Sequence, residues 1–168
     1  ALNRLWQTGL SLPQLSTIGL RLGADVPFFL CGQNAWVEGI GEKLTPVQIP
    51  ASAFVVAKPA QGLDTAKIFS HPALKRDSET AIISGFAANP IGFGRNDLQA
   101  VAEVLCPGVG QALRWLETLG LTGRMTGSGS AVFAPAGAHW DQVTLPDTSG
   151  FAVRYCRSLE EHPLRGWA

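Results

Sequence analysis

Charge is scarce in this sequence, and what there is cancels. Thirteen basic and thirteen acidic side chains make up 15% of 168 residues, against roughly 25% in an ordinary globular protein. No basic run is present to neutralise a phosphate backbone, so nucleic acid is not expected as a partner. No apolar stretch approaches the roughly 18 residues of a spanning helix, and no signal-peptide pattern is present, so no membrane association is expected. Cysteine is sparse too. Cys31, Cys106 and Cys156 are odd in number and widely spaced, which fits neither a disulfide framework nor a zinc site. They read as reduced core or near-core thiols of a cytoplasmic protein. His71, His139 and His162 are scattered, and no metal is assigned to them; no Ser-His-Asp or Cys-His arrangement stands out.

Hydrophobic residues, by contrast, make up 46% of the chain. That supports a sizeable core, and the length suits one domain, or one domain plus part of another. Trp36, Trp115 and Trp140 read as packing residues. Leu2, Leu5 and Trp6 share a helical face, predicting a helix over residues 1–8 without a capping residue before it. Ser11 and Pro13 suit the start of a second helix ending at Leu22 and Gly23. Strands are predicted over 35–38, 53–58, 121–125, 131–134 and 151–157, with another from Lys43. Helices are predicted over 65–69, 96–105 and 109–119. The glycine-rich stretch 89–95 reads as a mobile loop. The sum is an α+β fold, with a sheet on one side and helices on the other. Pro50 and Ala51 mark a joint.

Three segments carry candidate chemistry. In Gly23-Ala24-Asp25-Val26-Pro27-Phe28-Phe29, Asp25 precedes a proline suited to a helix's first turn. Two readings are open: Asp25 caps the helix, or its carboxylate accepts a proton from a substrate hydroxyl. In Arg124-Met125-Thr126-Gly127-Ser128-Gly129-Ser130, a small-residue loop joins two strands. It is either a plain hairpin turn or a cradle of backbone N–H groups for an anion. It is not the lysine-containing phosphate loop, since no lysine follows the glycines. In Lys58-Pro59 through Gly62 to Thr65 and Phe69, a strand leads into a helix capped by Asp64 or Thr65. Phe69 is either core or a stacking face for a planar base. Glu38 and Glu42 read as solvated charges.

These segments, with Glu38-Gly39-Ile40-Gly41-Glu42 and Asn96-Asp97-Leu98, resemble in order the diphosphocytidyl-methylerythritol kinases of the GHMP superfamily, over about residues 1–134. The resemblance implies ATP-dependent phosphorylation of a hydroxyl on the methylerythritol part of a cytidine-diphosphate substrate, a step toward isoprenoid precursors. Magnesium is implied as the companion of ATP. Asp25 matches the family's base, and Thr65 and Phe69 the border of the cytidine, with Phe69 on the base. Gly127, Ser128 and Gly129 match the motif near the phosphates. The fold implied is a remnant of an N-terminal ribosomal-protein-S5-like α/β domain (residues 1–50) and a whole ferredoxin-like C-terminal domain (residues 51–168).

The family's N-terminal lysine and glycine-serine-rich phosphate loop are not in this sequence. The expectation is therefore a C-terminal fragment, inactive by itself, with apolar surface and strand edges open to self-association. Two other readings stand beside it. One is another GHMP kinase of homoserine or mevalonate type, against which the Lys58–Phe69 segment argues. The other is a non-catalytic ferredoxin-like binding domain.

Overall fold

The computed structural model describes residues 1–137, 150–163 and 165–166. His139 and Trp140 lie outside the described residues. The chain divides into two compact units, Ala1–Ala51 with Leu159–Ala168, and Ser52–Ser158.

In the first unit, helix α1 spans Leu2–Leu5. It stops short of the expected residue 8 because Gln7 (φ 50°) and Gly9 (φ 65°) turn the chain through the left-handed region. The Asn3 side chain fastens that turn. Its Nδ2 donates to the Leu10 carbonyl at 2.9 Å and its Oδ1 accepts from the Leu10 N–H at 3.1 Å. Helix α2 spans Leu12–Leu22, with Pro13 in its first turn. Its Ser11 cap donates its N–H to Gln14 Oε1 at 2.8 Å. Helix α3 spans Val26–Cys31 and ends at Gly32, whose φ of 67° needs glycine.

Gly19 is the contact point between these helices. A Cβ there would lie 2.8 Å from Val26 Cγ1 and 3.0 Å from Leu30 Cδ1. Strands β1 (Ala35–Glu38) and β2 (Lys43–Pro46) form an antiparallel hairpin. The tail returns to this unit: Gln33 bridges Glu161, and Asn34 Nδ2 donates to the Leu159 carbonyl at 3.1 Å. Leu2, Leu5, Trp6, Leu22 and Phe29 are exposed.

The second unit holds strands β3 (Ala53–Pro59), β4 (Arg124–Met125), β5 (Val132–Ala136) and β6 (Phe151–Arg157). They form one antiparallel sheet in the order β4-β5-β3-β6. Numbered along this unit, that order is second, third, first, fourth, the arrangement of a ferredoxin-like sheet. Between β3 and β4 run α4 (Thr65–Ser70), α5 (Ile83–Ala88), α6 (Gln99–Leu105) and α7 (Pro107–Thr118). The fold is thus the expected α+β class.

Strand alternation turns Val55, Ala57, Val132 and Ala134 toward the core, where they meet Val109 and Leu116 among the buried helix residues. Each fully buried Val or Leu contributes about 1.5–3 kcal/mol. Cys106 is buried in this core, whereas Cys156 is exposed on β6, opposite Phe54. Cys156 therefore departs from the core or near-core expectation. The expected strand 121–125 pairs only at Arg124 and Met125, because Gly123 is pressed against Leu116 and Leu113 of α7.

The glycine-rich stretch 89–95 is strapped rather than free-standing. The Arg124 guanidinium donates to the carbonyls of Phe93, Gly94 (2.7 Å) and Ile91 (3.3 Å), and it lies over the Phe133 ring at 5.2 Å. Burial lowers the Arg124 pKa. Among the described residues, no helix is long and apolar enough to cross a membrane.

Candidate active site

Asp25 sits at the N-cap position of α3 but does not act as a side-chain cap. Its backbone is in the right-handed helical region (φ −83°, ψ −15°), and its carboxylate makes no capping hydrogen bond. A capping side chain works from an extended backbone, so this geometry leaves the exposed carboxylate uncommitted. The segment that carries it is fixed from two sides. Gly19 lets α3 lie close on α2, and the buried Gly41 presses its bare Cα on Ala24. A Cβ at Gly41 would overlap the Ala24 carbonyl oxygen and lie 2.9 Å from its carbonyl carbon. Gly41 also has φ 125°, so glycine is required there twice over. Glu42 is occupied by its own turn, its Oε2 accepting the Ile40 N–H at 2.7 Å. Hydrogen bonds from its own and the Ile40 backbone lower its pKa.

In the other unit, the cap of α4 is Asp64, whose Oδ1 accepts from Ala66 N at 2.9 Å and Lys67 N at 3.4 Å. Thr65 is therefore free of capping duty. Its Oγ1 lies 3.1 Å from Ser128 Oγ. This bond brings the Lys58–Phe69 segment and the glycine-serine loop together across 63 residues of sequence. Phe69 is 54% exposed, while its neighbour Ile68 is wholly buried. The core reading of Phe69 therefore fails, and its ring stands open on α4. Arg76 holds the end of that helix, donating to the Phe69 carbonyl at 2.6 Å and the Leu74 carbonyl at 3.0 Å.

The loop joins β4 to β5 and is closed by the Thr126 N–H on the Ala131 carbonyl at 3.0 Å. Gly127 is left-handed (φ 59°). A Cβ at Gly127 or Gly129 would meet no atom within 4 Å, so both backbones face open space that an anion can enter. Ser130 is buried, and its hydroxyl has no hydrogen-bond partner. Among the described residues, no cluster of three His, Cys, Asp or Glu side chains could hold a metal ion.

Sequence reasoning passed over two side chains here. Asn96 Nδ2 donates to the carbonyls of Met125 (3.1 Å) and Gly127 (2.8 Å). Gln99 Oε1 accepts the Met125 N–H at 2.9 Å. Asn96 was visible only as part of a motif; nothing local in the sequence says that its amide reaches a hairpin 31 residues away.

The family described as GHMP kinases C terminal matches residues 82–144. The 4-diphosphocytidyl-2-C-methyl-D-erythritol kinase of Albidiferax ferrireducens is 67% identical over 168 residues, which is 100% of this chain and 58% of the relative. Over its whole length this chain is similar to that kinase family. The kinase of the same description from Polaromonas sp. is 58% identical over 172 residues, covering 99% of this chain and 56% of its own. A crystal structure of 4-(cytidine 5'-diphospho)-2C-methyl-D-erythritol kinase aligns with TM-score 0.65 and 30% identity, over 80% of this chain and 51% of that one. The chain thus spans rather more than half the length of these curated relatives.

Proposed function

We propose that the protein is an ATP-dependent kinase that phosphorylates a hydroxyl of 4-(cytidine 5'-diphospho)-2-C-methyl-D-erythritol, in the methylerythritol phosphate route to isoprenoid precursors. The observation that carries this reading is the Asp25 carboxylate, held at a helix start yet making no capping bond. In this reading Asp25 orients the acceptor hydroxyl and takes its proton as the oxygen attacks the γ-phosphorus of ATP and ADP departs. Phe69 stacks on the cytosine, with Thr65 beside it. The backbone of Gly127, Ser128 and Gly129 faces phosphate oxygens in this reading, which the open space beside Gly127 and Gly129 supports. Magnesium travels with the ATP phosphates. Most of the acceleration in such a reaction comes from positioning and charge stabilisation, which is why the rigid seat under Asp25 matters as much as the carboxylate itself.

The test uses the product of the complete reading frame. Asp25→Asn lowers kcat by about 10²–10⁴-fold while leaving substrate affinity within a few-fold. Phosphorylation of the cytidine-diphosphate substrate, followed by ADP release, reads this out. An unchanged kcat would reduce Asp25 to a structural residue and remove the proposal.

A further inference from the structure

We infer that Asn96 is a positioning residue for phosphoryl transfer, holding the Gly127–Ser130 loop so that Ser128 meets Thr65. The inference rests on the kinase reading of that loop. Asn96 uses its whole amide. Both Nδ2 hydrogens are donated, one to the Met125 carbonyl at 3.1 Å and one to the Gly127 carbonyl at 2.8 Å. Its Oδ1 accepts the Leu98 N–H at 3.0 Å, at the entry to α6. Helix α6 is anchored in the core through Val101 and Ala102. The hairpin is thus tied to a rigid element, at Met125 by Asn96 and by Gln99 of α6, and at Gly127 by Asn96.

The loop has little else to hold it. Gly127 and Gly129 offer no side chain to pack, and nothing lies within 4 Å of where one would be. The Thr126–Ala131 backbone bond closes its base without fixing its tip. The tip carries Ser128, whose hydroxyl is 3.1 Å from that of Thr65. Only a side-chain amide can donate twice and accept once from this position. An aspartate would aim negative oxygens at two carbonyl oxygens, and an alanine would surrender all three bonds. Asn96 lies outside the buried core, so its variants are expected to fold.

The experiment uses the product of the complete reading frame, with Asn96→Ala, Asn96→Asp, Ser128→Ala and the double variant Asn96→Ala/Ser128→Ala. A displaced loop lowers kcat by about 10²-fold in both Asn96 variants, while KM for the cytidine-diphosphate substrate stays within about two-fold of wild type. In the Ser128→Ala background the Asn96→Ala loss shrinks to a few-fold, because both substitutions act through one contact. Losses that multiply, or an Asn96→Ala kcat at the wild-type level, overturn the inference. Hydrogen exchange separates it from the kinase reading. Losing two hydrogen bonds speeds amide exchange at residues 126–130 by about tenfold, with α7 unaffected. Unchanged exchange sinks the inference even in an active kinase. Accelerated exchange in an Asn96→Ala protein that keeps full kcat upholds the tether and overturns its part in phosphoryl transfer.

Discussion

Gly41→Ala is the sharpest probe of the seat beneath Asp25. Two independent penalties meet at this residue. Its φ of 125° is a region that a residue with a side chain occupies at a cost of about 1–3 kcal/mol. The added methyl would also overlap the Ala24 carbonyl oxygen. That neighbour is backbone and cannot swing away, so relief requires the hairpin or the Ala24–Asp25 segment to move, at a further 1–3 kcal/mol or so. A rigid structure would lose about 2–6 kcal/mol, the sum of the two. A yielding one would spend part of that by displacing Asp25, and a shift of about 1 Å costs about 10²-fold in turnover. Urea titration and kcat, measured together on the product of the complete reading frame, capture both routes. Gly39→Ala is the internal control. It sits in the same turn at φ 70°, but its methyl meets the Glu42 side chain, which can rotate aside. It should cost about half as much. A Gly41→Ala protein with wild-type stability and kcat, or one no worse than Gly39→Ala, would refute the argument.

Other substitutions test the remaining parts. Gly19→Ala gains about 1 kcal/mol of helix propensity but places a Cβ 2.8 Å from the branched, stiff Val26 side chain. Overpacking of about 1–3 kcal/mol wins, and urea unfolding should find the variant less stable; a stabilised variant would contradict the close approach of α2 and α3. Phe69→Ala removes an exposed ring, so the fold should survive. Stacking worth about 1–3 kcal/mol should vanish from cytidine diphosphate binding while ATP binding holds, and calorimetry showing equal losses for both nucleotides would exclude the stacking role.

Much of the architecture was legible because it rests on local rules. Val55 and Ala57 alternate as a half-buried strand must. Ser11 and Pro13 announce α2, and Pro107 opens α7 ahead of the predicted start at residue 109, at the position where a missing N–H is harmless. Elements without a local signal were lost. Helix α5 follows Ile82, whose side chain cannot cap it, and holds a glycine at its centre. The return of Leu159–Ala168 to the first unit depends on a bridge between residues 33 and 161, which no local pattern encodes. The candidate site divides in the same way. The residue types at Asp25, Phe69 and Gly127 could be read from the sequence. The freedom of Asp25 from capping follows from a backbone conformation that its residue type does not announce, while the Thr65–Ser128 contact and the reach of Asn96 are tertiary facts, set by how distant segments are brought together.

The grip of Arg124 on residues 91–94 has a consequence for how this protein can vary. All three of its hydrogen bonds go to main-chain carbonyls, which every amino acid supplies. The clamp therefore reads the path of the loop and is indifferent to its spelling. Side chains there answer to other constraints, such as the left-handed turn at Gly94 (φ 83°) and the Phe93 ring on Phe86, but the main-chain path of the segment is held by one residue outside it.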